Sequence, residues 1–574
     1  MKVEQNLRQL NIKQIQQKNE DNRLVQRPVT YSQPKQAQQT FTGAGFVPFL
    51  NFLDTSPAWG ACAVDFGFMV LPRTLTDFFS RGPEVGVETA RREGMGAVNH
   101  ASVCLYGAGA GALVAAGINR MYKLGGDYNV KANNIYADAE TLDLHGGIYD
   151  AKLKAAVNNP SANPLREYLA ETFRRYEALS GTENGKWVRI QDQSVIDSVA
   201  EILEKEIKTN SNKLSKEGKA TIKNTLLQAL GVENNVRIIA AEGERLHSSR
   251  YTVDALIDNA YKLGKAFSGE KVKEAFMQAP DIASNKFLKA MKSMNLNRSL
   301  IGVGVATILG ICAQPLNMYL TRKKTGNNAF VGGGEEDKST GFKLRKAGVA
   351  GLFGAGVLAT IGNPKNLLKD IQFKGFTPTL NQFKFIYGIT IMSRFLSSRN
   401  DNELTEATIK DTLGFANWLI LGNFVQKLVA QSIDKSLIKR DGIGVIDWIK
   451  TSSLKTREEI LHSALGQKVF KDGKGLDLKG MLEALPKTHP ARKQLRALTI
   501  AQCAGYLYSG LVLGVGIPKL NGYLTNKREA KKAAMAAQQA NAAQLQQQDA
   551  MLKPENIQFL NQKNFTGMNN LLAS

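Results

Sequence analysis

The chain of 574 residues has 43% hydrophobic and 22% charged residues, ordinary for a globular protein and long enough for two or more folded units. A mean hydropathy of -0.23 excludes a molecule made only of apolar spans, so large parts must lie in water. The net charge of +23 is uneven: residues 121–298 hold 26 Lys and Arg against 23 Asp and Glu, which argues against a basic nucleic-acid-binding module.

Residues 1–44 form a Gln-rich lead, read as disordered. Met1 to Thr40 has ten Gln, mixed charge and no apolar core, so it is not expected to be a cleaved signal. Residues 45–120 open with an aromatic segment, Phe46, Phe49, Phe52, Trp59, Phe66, Phe68, Phe78 and Phe79, broken by Pro48, Pro57 and Pro72. Its uncharged pieces are too short to span and Asp65 interrupts it, so it reads as interfacial or re-entrant, or as an aromatic core element. The first span is expected over Ala97 to Ile118, after Arg91 and Arg92; Gly107 and Gly111 would let a neighbouring helix approach one of its faces.

Residues 121–298 read as a soluble, mainly helical domain. Val195, Ile196, Val199, Ile202, Leu203 and Ile207 recur at helical spacing, and Ser194 with Asp197 has the spacing of a capping box. Val253, Leu256, Ile257, Ala260, Tyr261 and Phe267 make a second stripe, and Gly231 is placed to end the helix carrying Ile222, Leu226, Leu227 and Leu230. No stretch here has the alternation of a strand.

Residues 299–526 return to apolar spans joined by amphipathic connections. Two uncharged runs, Leu300 to Leu320 and Ala497 to Pro518, end in the same pattern: Leu316, Asn317, Tyr319, Leu320, Thr321 and Lys323 recur 204 positions later as Leu520, Asn521, Tyr523, Leu524, Thr525 and Lys527. Tyr followed by Lys or Arg is the chemistry of a membrane exit, so Asn317, Tyr319, Lys323, Asn521, Tyr523 and Lys527 are assigned to the interface. Between them, Ala347 to Pro364 carries Ala347, Gly351, Ala355 and Ala359 at four-residue intervals, a packing stripe, and Gly510 and Gly514 repeat that spacing in the last run. Thr379 to Leu396, with Lys384 and Arg394, and Thr412 to Ile433, with Lys427, fit spans or surface helices. If both repeated endings face one side, one or three spans must separate them. Residues 527–574 form an Ala/Gln-rich tail.

Catalytic motifs are missing. Gly354, Gly356 and Ala359 match a dinucleotide fingerprint in letters, but the first acid, Asp370, comes too early and the string lies in an apolar run. Gly181 to Lys186 lacks the P-loop hydroxyl, since Trp187 follows. Cys62, Cys104, Cys312 and Cys503 lie in apolar stretches and read as small hydrophobes at helix interfaces. His100, His145, His247, His462 and His489 have no partner at metal-ligand spacing, so neither a metal nor a cofactor is expected.

The expectation is an all-α, multi-pass helical membrane protein with an inserted soluble helical domain, basic in charge, located in a bacterial inner membrane. Its expected partners are the lipid bilayer with its anionic headgroups and a further copy or another membrane protein, not nucleic acid. The leading function is a non-enzymatic scaffolding or assembly role. The alternatives are a secondary transporter or channel built on the internal repeat, and a soluble assembly or virion protein with membrane-active helices. Against transport, the strongest spans carry no ionisable residues in their centres.

Overall fold

The computed structural model describes residues 46–551 apart from 56, 106–110, 133–134, 160, 180–186, 210–212, 233–235, 240–250, 326–335, 362–366, 374–378, 440–444, 446–447 and 449–452. It is mostly helical, with a few short strands. Among the described residues three helical stretches, Lys286–Leu320, Thr340–Ile361 and Ala491–Gln547, are long and apolar enough to cross a membrane.

Between Asn51 and the last described residue, seven helical rods can be followed among the described residues. The first covers 57–81, as Pro57–Val64, a π-helical segment Asp65–Val70, and Leu71–Arg81. Gly82, at φ +99°, reverses the chain into the second, Pro83–Leu105, continued after 106–110 by Gly111–Met121. The third is Lys286–Thr325, the fourth Thr340–Ile361 and the fifth Leu380–Leu396. The sixth joins Asp401–Ala416, a π segment Asn417–Leu421 and Gly422–Ile433; the seventh joins Ala491–Ser509, a π segment Gly510–Gly516 and Ile517–Met551.

Side-chain contacts fix their directions. The Thr89 hydroxyl donates to Asp77 at 2.7 Å, so the first two rods are antiparallel. Asn381 reaches the Ile361 carbonyl and Lys346 the Ser398 carbonyl, so the fourth and fifth are antiparallel. Lys532 meets Asn402 while Gln494 meets Ser436, so the sixth and seventh are antiparallel as well. Phe68 stacks on Tyr506 and Arg73 reaches the Leu513 carbonyl, setting the first and seventh parallel. Ser393 reaches the Ile311 carbonyl and the Phe373 amide meets Ser299, so the third and fifth are parallel, and Arg394 pairs with Asp411 across the turn between the fifth and sixth, so those two are antiparallel. The repeated endings at Tyr319 and Tyr523 therefore close two rods of like direction, and three rods, the fourth to the sixth, stand between them.

The aromatic segment expected to be interfacial is thus helical, and its 57–81 part runs along the other rods. Proline did not break it: Pro57 opens its helical segment, where a missing N–H costs little, and Pro72 follows directly on the π-helical segment Asp65–Val70.

The inserted domain has its own core, with Tyr149, Tyr168, Phe173, Phe267, Phe276 and Phe287 almost without exposure. Phe267 stacks on Tyr149 at 4.8 Å and meets Tyr168, Phe276 and Phe287 edge-on. The expected stripes face inward, with Val195 and Ile202 half-buried and the rest buried, and Gly231 ends its helix at φ +71°. Two readings need correction. The domain contains a three-stranded antiparallel sheet, Trp187–Arg189, Tyr176–Leu179 and Val236–Ile238 in that order, too short for alternation to register. The start of Gln193–Thr209 is capped by Asp192, which accepts from the Ser194 amide and hydroxyl; Ser194 lies inside the first turn.

The described residues between 434 and 490 form an annex with a small core around Leu461 and Val469, closed by Leu498 of the seventh rod. It packs on the domain helix Lys216–Leu230, where Asn224 donates to the Leu476 carbonyl at 3.0 Å and Lys223 pairs with Glu458 at 2.5 Å. Domain and annex therefore share the near end of the rods. Gly82, Tyr319, Leu396 and Tyr523 mark the far end.

Candidate functional site: a buried charged cluster among the rods

The rods reverse the usual distribution of polar and apolar residues. Ile308, Leu352, Leu507 and Leu511 are each more than half exposed, while Asp65, Arg73, Glu93 and Asp411 are buried. Burying a charge in an apolar surround is costly unless it is paired, and here the pairs are built from four different rods. Arg73 donates to Glu93 at 3.0 Å from the first rod, and to the Leu513 carbonyl at 2.8 Å on the seventh. Lys410 of the sixth rod closes on the same Glu93 carboxylate. Arg394 of the fifth holds Asp411 at 3.0 Å and approaches Glu93 at 3.7 Å. Two carboxylates thus face three cations, and Arg92 lies beside them.

Two small cavities adjoin the cluster. One of about 30 Å³ is bordered by Asp65, Arg92, Glu93, Asn317, Tyr387 and Arg394. The other, about 70 Å³, lies toward the far end among Arg92, Gln314, Arg394, Arg399, Glu403 and Lys410. Each is large enough for a water molecule, and Arg92, Gln314 and Arg394 border both. The three π-helical segments converge nearby, the one over Gly510–Gly516 touching both others. Tyr508 donates to Asn417 at 2.6 Å across that contact. Extra residues inserted into a helix free backbone groups and change the side-chain register, which is why such segments recur at functional positions.

The sequence pointed to other residues. Gly107 lies outside the described residues, and Gly111 opens Gly111–Met121, with its surroundings also outside them. Ala347, Gly351, Ala355 and Ala359 are exposed. Their helix uses another face inside the chain: Phe342, Ala350, Val357 and Ile361 are buried, and Gly388 admits Val357, whose Cγ1 would lie 2.7 Å from an added Cβ. Gly510 meets Phe68, and a Cβ on Gly514 would overlap Pro72.

The repeated endings match in environment as well as in letters. Asn317 and Asn521 are buried at 3% and 2% exposure, while Tyr319 and Tyr523 stand out at 61% and 62%. Lys323 and Lys527 are exposed at the same end. Cys312 and Cys503 are exposed on the outer face, not held in a helix interface; Cys62 is buried. His145 and His462 are buried and bonded to Tyr168 and Asn224. Among the described residues no three His, Cys, Asp or Glu side chains are grouped to hold a metal.

Sequence reasoning missed the cluster because its members lie outside the strongest spans. Arg92 reads as a flanking charge, and Arg394 as a residue near a helix end. Asp65, isolated in an aromatic run, was the available signal. Compared with known protein families, curated proteins and solved structures, the chain matches none.

Proposed function

We propose that this chain is a non-enzymatic, multi-pass integral membrane protein that holds its helical domain and annex on one side of the bilayer as a scaffold or assembly platform. The observation that carries this reading is the outward-facing apolar surface of the third and seventh rods. Ile301, Ile308, Leu309 and Ile311 on one and Ile500, Leu507 and Leu511 on the other are each at least 42% exposed. Aqueous surfaces scatter such residues singly, whereas lipid favours them in bands. The far end is rich in Arg and Lys, including Arg322, Lys323, Lys343, Arg345, Lys527 and Lys531. By the positive-inside rule this end faces the cytoplasm and the domain faces away. The paired endings support an internal repeat, and a bacterial inner membrane suits the charge bias. Carbonate washing of membranes from expressing cells should leave the chain in the pellet, and protease added from outside should reach the domain. Release by carbonate would overturn the reading and favour a soluble assembly.

A second reading, a transporter or channel, is favoured by the cluster around Glu93. Ionisable groups enclosed among membrane helices commonly mark ion or proton paths. In liposomes containing the purified chain, a proton or ion flux that is lost in Glu93→Gln with insertion intact would support transport. Equal flux in empty liposomes would reject it.

A further inference from the structure

The far-end cavity of about 70 Å³ holds polar atoms that the charged network leaves unused. Glu403, Glu406, Ala407, Lys410 and Asp411 follow one another at helical spacing, so one face of Asp401–Ala416 forms a wall of it. Gln314 of the third rod, Arg394 of the fifth and Thr525 of the seventh stand on other sides. The two carboxylates of the cluster differ in their relation to this space. Both oxygens of Glu93 are engaged, Oε2 by Arg73 at 3.0 Å and Oε1 by Lys410, with Arg394 3.7 Å away. Asp411, 2% exposed, gives only Oδ1 to Arg394, at 3.0 Å; its enclosed Oδ2 accepts from no described residue. Thr525 Oγ1, enclosed on the same cavity, has no partner among the described residues either. The carboxylate of Glu406, half-buried on the same wall, makes no ion pair or hydrogen bond with a described residue. A buried oxygen without a donor is costly, and a proton or a water donor in the cavity would recover that cost.

We propose that Asp411 is the proton-binding group of the cluster and that Glu406 relays protons to it across this cavity. The space admits about two water molecules, enough to join the two side chains. In the step, hydronium or protonated Glu406 gives its proton to Oδ2 of Asp411. One O–H bond breaks on the donor and one forms on Oδ2, leaving water or the Glu406 carboxylate, with no redox change. The groups around Asp411 favour this site over Glu93. Arg394 and Tyr387 face it from the fifth rod, Arg92 and Glu93 from the second, Asp65 and Arg73 from the first, and Lys410 and Glu406 lie on its own helix. Glu93 draws Arg73 and Lys410 to itself, so Arg394 is the one cation in direct contact with Asp411 among the described residues. A neutral Asp411 holds Arg394 less strongly, and Glu93 is already 3.7 Å from that guanidinium. Protonation therefore moves Arg394 from a contact between the fifth and sixth rods toward one between the fifth and second. This names a proton as the substrate for the transport reading above, and the coupling to movement rests on that reading; proton binding does not.

The test is difference infrared spectroscopy of the full chain in detergent, acidified stepwise from about pH 8 to about pH 4, with circular dichroism checking the fold at each step. Acidification should bring up the carbonyl stretch of one enclosed carboxylic acid, at higher frequency than the hydrated acids of the surface. That band should be lost in Asp411→Asn and return at a displaced frequency in Asp411→Glu, which decides the assignment if the Asn variant does not fold. Glu406→Gln should slow the appearance of the band after a rapid drop in pH by about tenfold or more. A band that persists in Asp411→Asn, one that stays in place in Asp411→Glu, or its absence from the wild-type chain would overturn the proposal, and an unchanged rate in Glu406→Gln would overturn the relay. A band that follows Asp411 in a chain whose liposomes show no flux would sink the transport reading alone, and flux without the band would sink this assignment alone.

Discussion

The domain of residues 121–298 and the rods solve opposite problems with the same backbone. In the domain, aromatic and aliphatic side chains fill the interior, and among its described residues beyond Met121 only Val157 and Met277 are prominent as exposed large apolar residues. Its charges form surface pairs such as Arg166 with Glu201 at 3.0 Å. Among the rods, leucines and isoleucines face outward while Arg73, Glu93 and Asp411 are enclosed. One arrangement suits a protein surrounded by water, and the other suits the hydrocarbon surround that we propose for the rods. The difference teaches that overall composition, an average over both, describes neither region.

The most damaging test of this contrast is Glu93→Ala. It leaves Arg73, Lys410 and Arg394 facing one another with Asp411 as the remaining acid, and removal of one partner from a buried ion network costs about 3–5 kcal/mol. Thermal unfolding in detergent should show a large drop; an unchanged midpoint would mean that water reaches the cluster. Next is Ile308→Asp, at a position 61% exposed on the third rod. In water such a change is nearly neutral, but at a bilayer centre it disfavours insertion by about 3 kcal/mol. A glycosylation-based insertion assay that finds no loss would break the comparison, with Val157→Asp in the domain as the neutral control.

Acid should loosen the contact between domain and annex. His462 is enclosed and donates through Nε2 to Asn224 in its neutral form; burial foremost, and the nearby Lys223 ammonium, push its pKa down to about 4 from 6.5. Below pH 6.5 the unfolded chain therefore takes up a proton that the folded one refuses. The contribution of the neutral ring is complete above that pH and is lost as pH falls toward 4, up to about 3 kcal/mol. His462→Gln should flatten this slope in denaturant unfolding followed across pH 4–7, and an unchanged slope would assign it elsewhere. The smallest effect is expected from Arg166→Ala, since an exposed pair is worth about 0.2–1 kcal/mol. A larger loss would show that the domain surface is not simply solvated.

Much of the helical content was legible. Periodicity located Val195 to Ile207 and Val253 to Phe267, Gly231 marked a helix end, and the long apolar runs marked the third, fourth and seventh rods. These are local properties, set by side-chain spacing and by which residue tolerates a positive φ. The candidate site was much less legible. Asp65 stood out as a charge in an aromatic run, but nothing local linked it with Glu93, Arg394 or Asp411, which are scattered along more than 300 residues of chain.

What the sequence determined by itself was the choice between helix and strand over most of the chain, the apolar runs, and the paired endings at Tyr319 and Tyr523. The tertiary structure alone decided which face of each helix turned inward. The stripe of Ala347, Gly351, Ala355 and Ala359 faces outward although its spacing suits packing, while Gly514 lies against Pro72 from a distant rod. It also decided that charges from weakly apolar helices would be enclosed, because a carboxylate can be buried only where cations from other rods arrive to compensate it. Spacing along one helix defines the faces on offer, and the partner that covers each face is a property of the assembled fold.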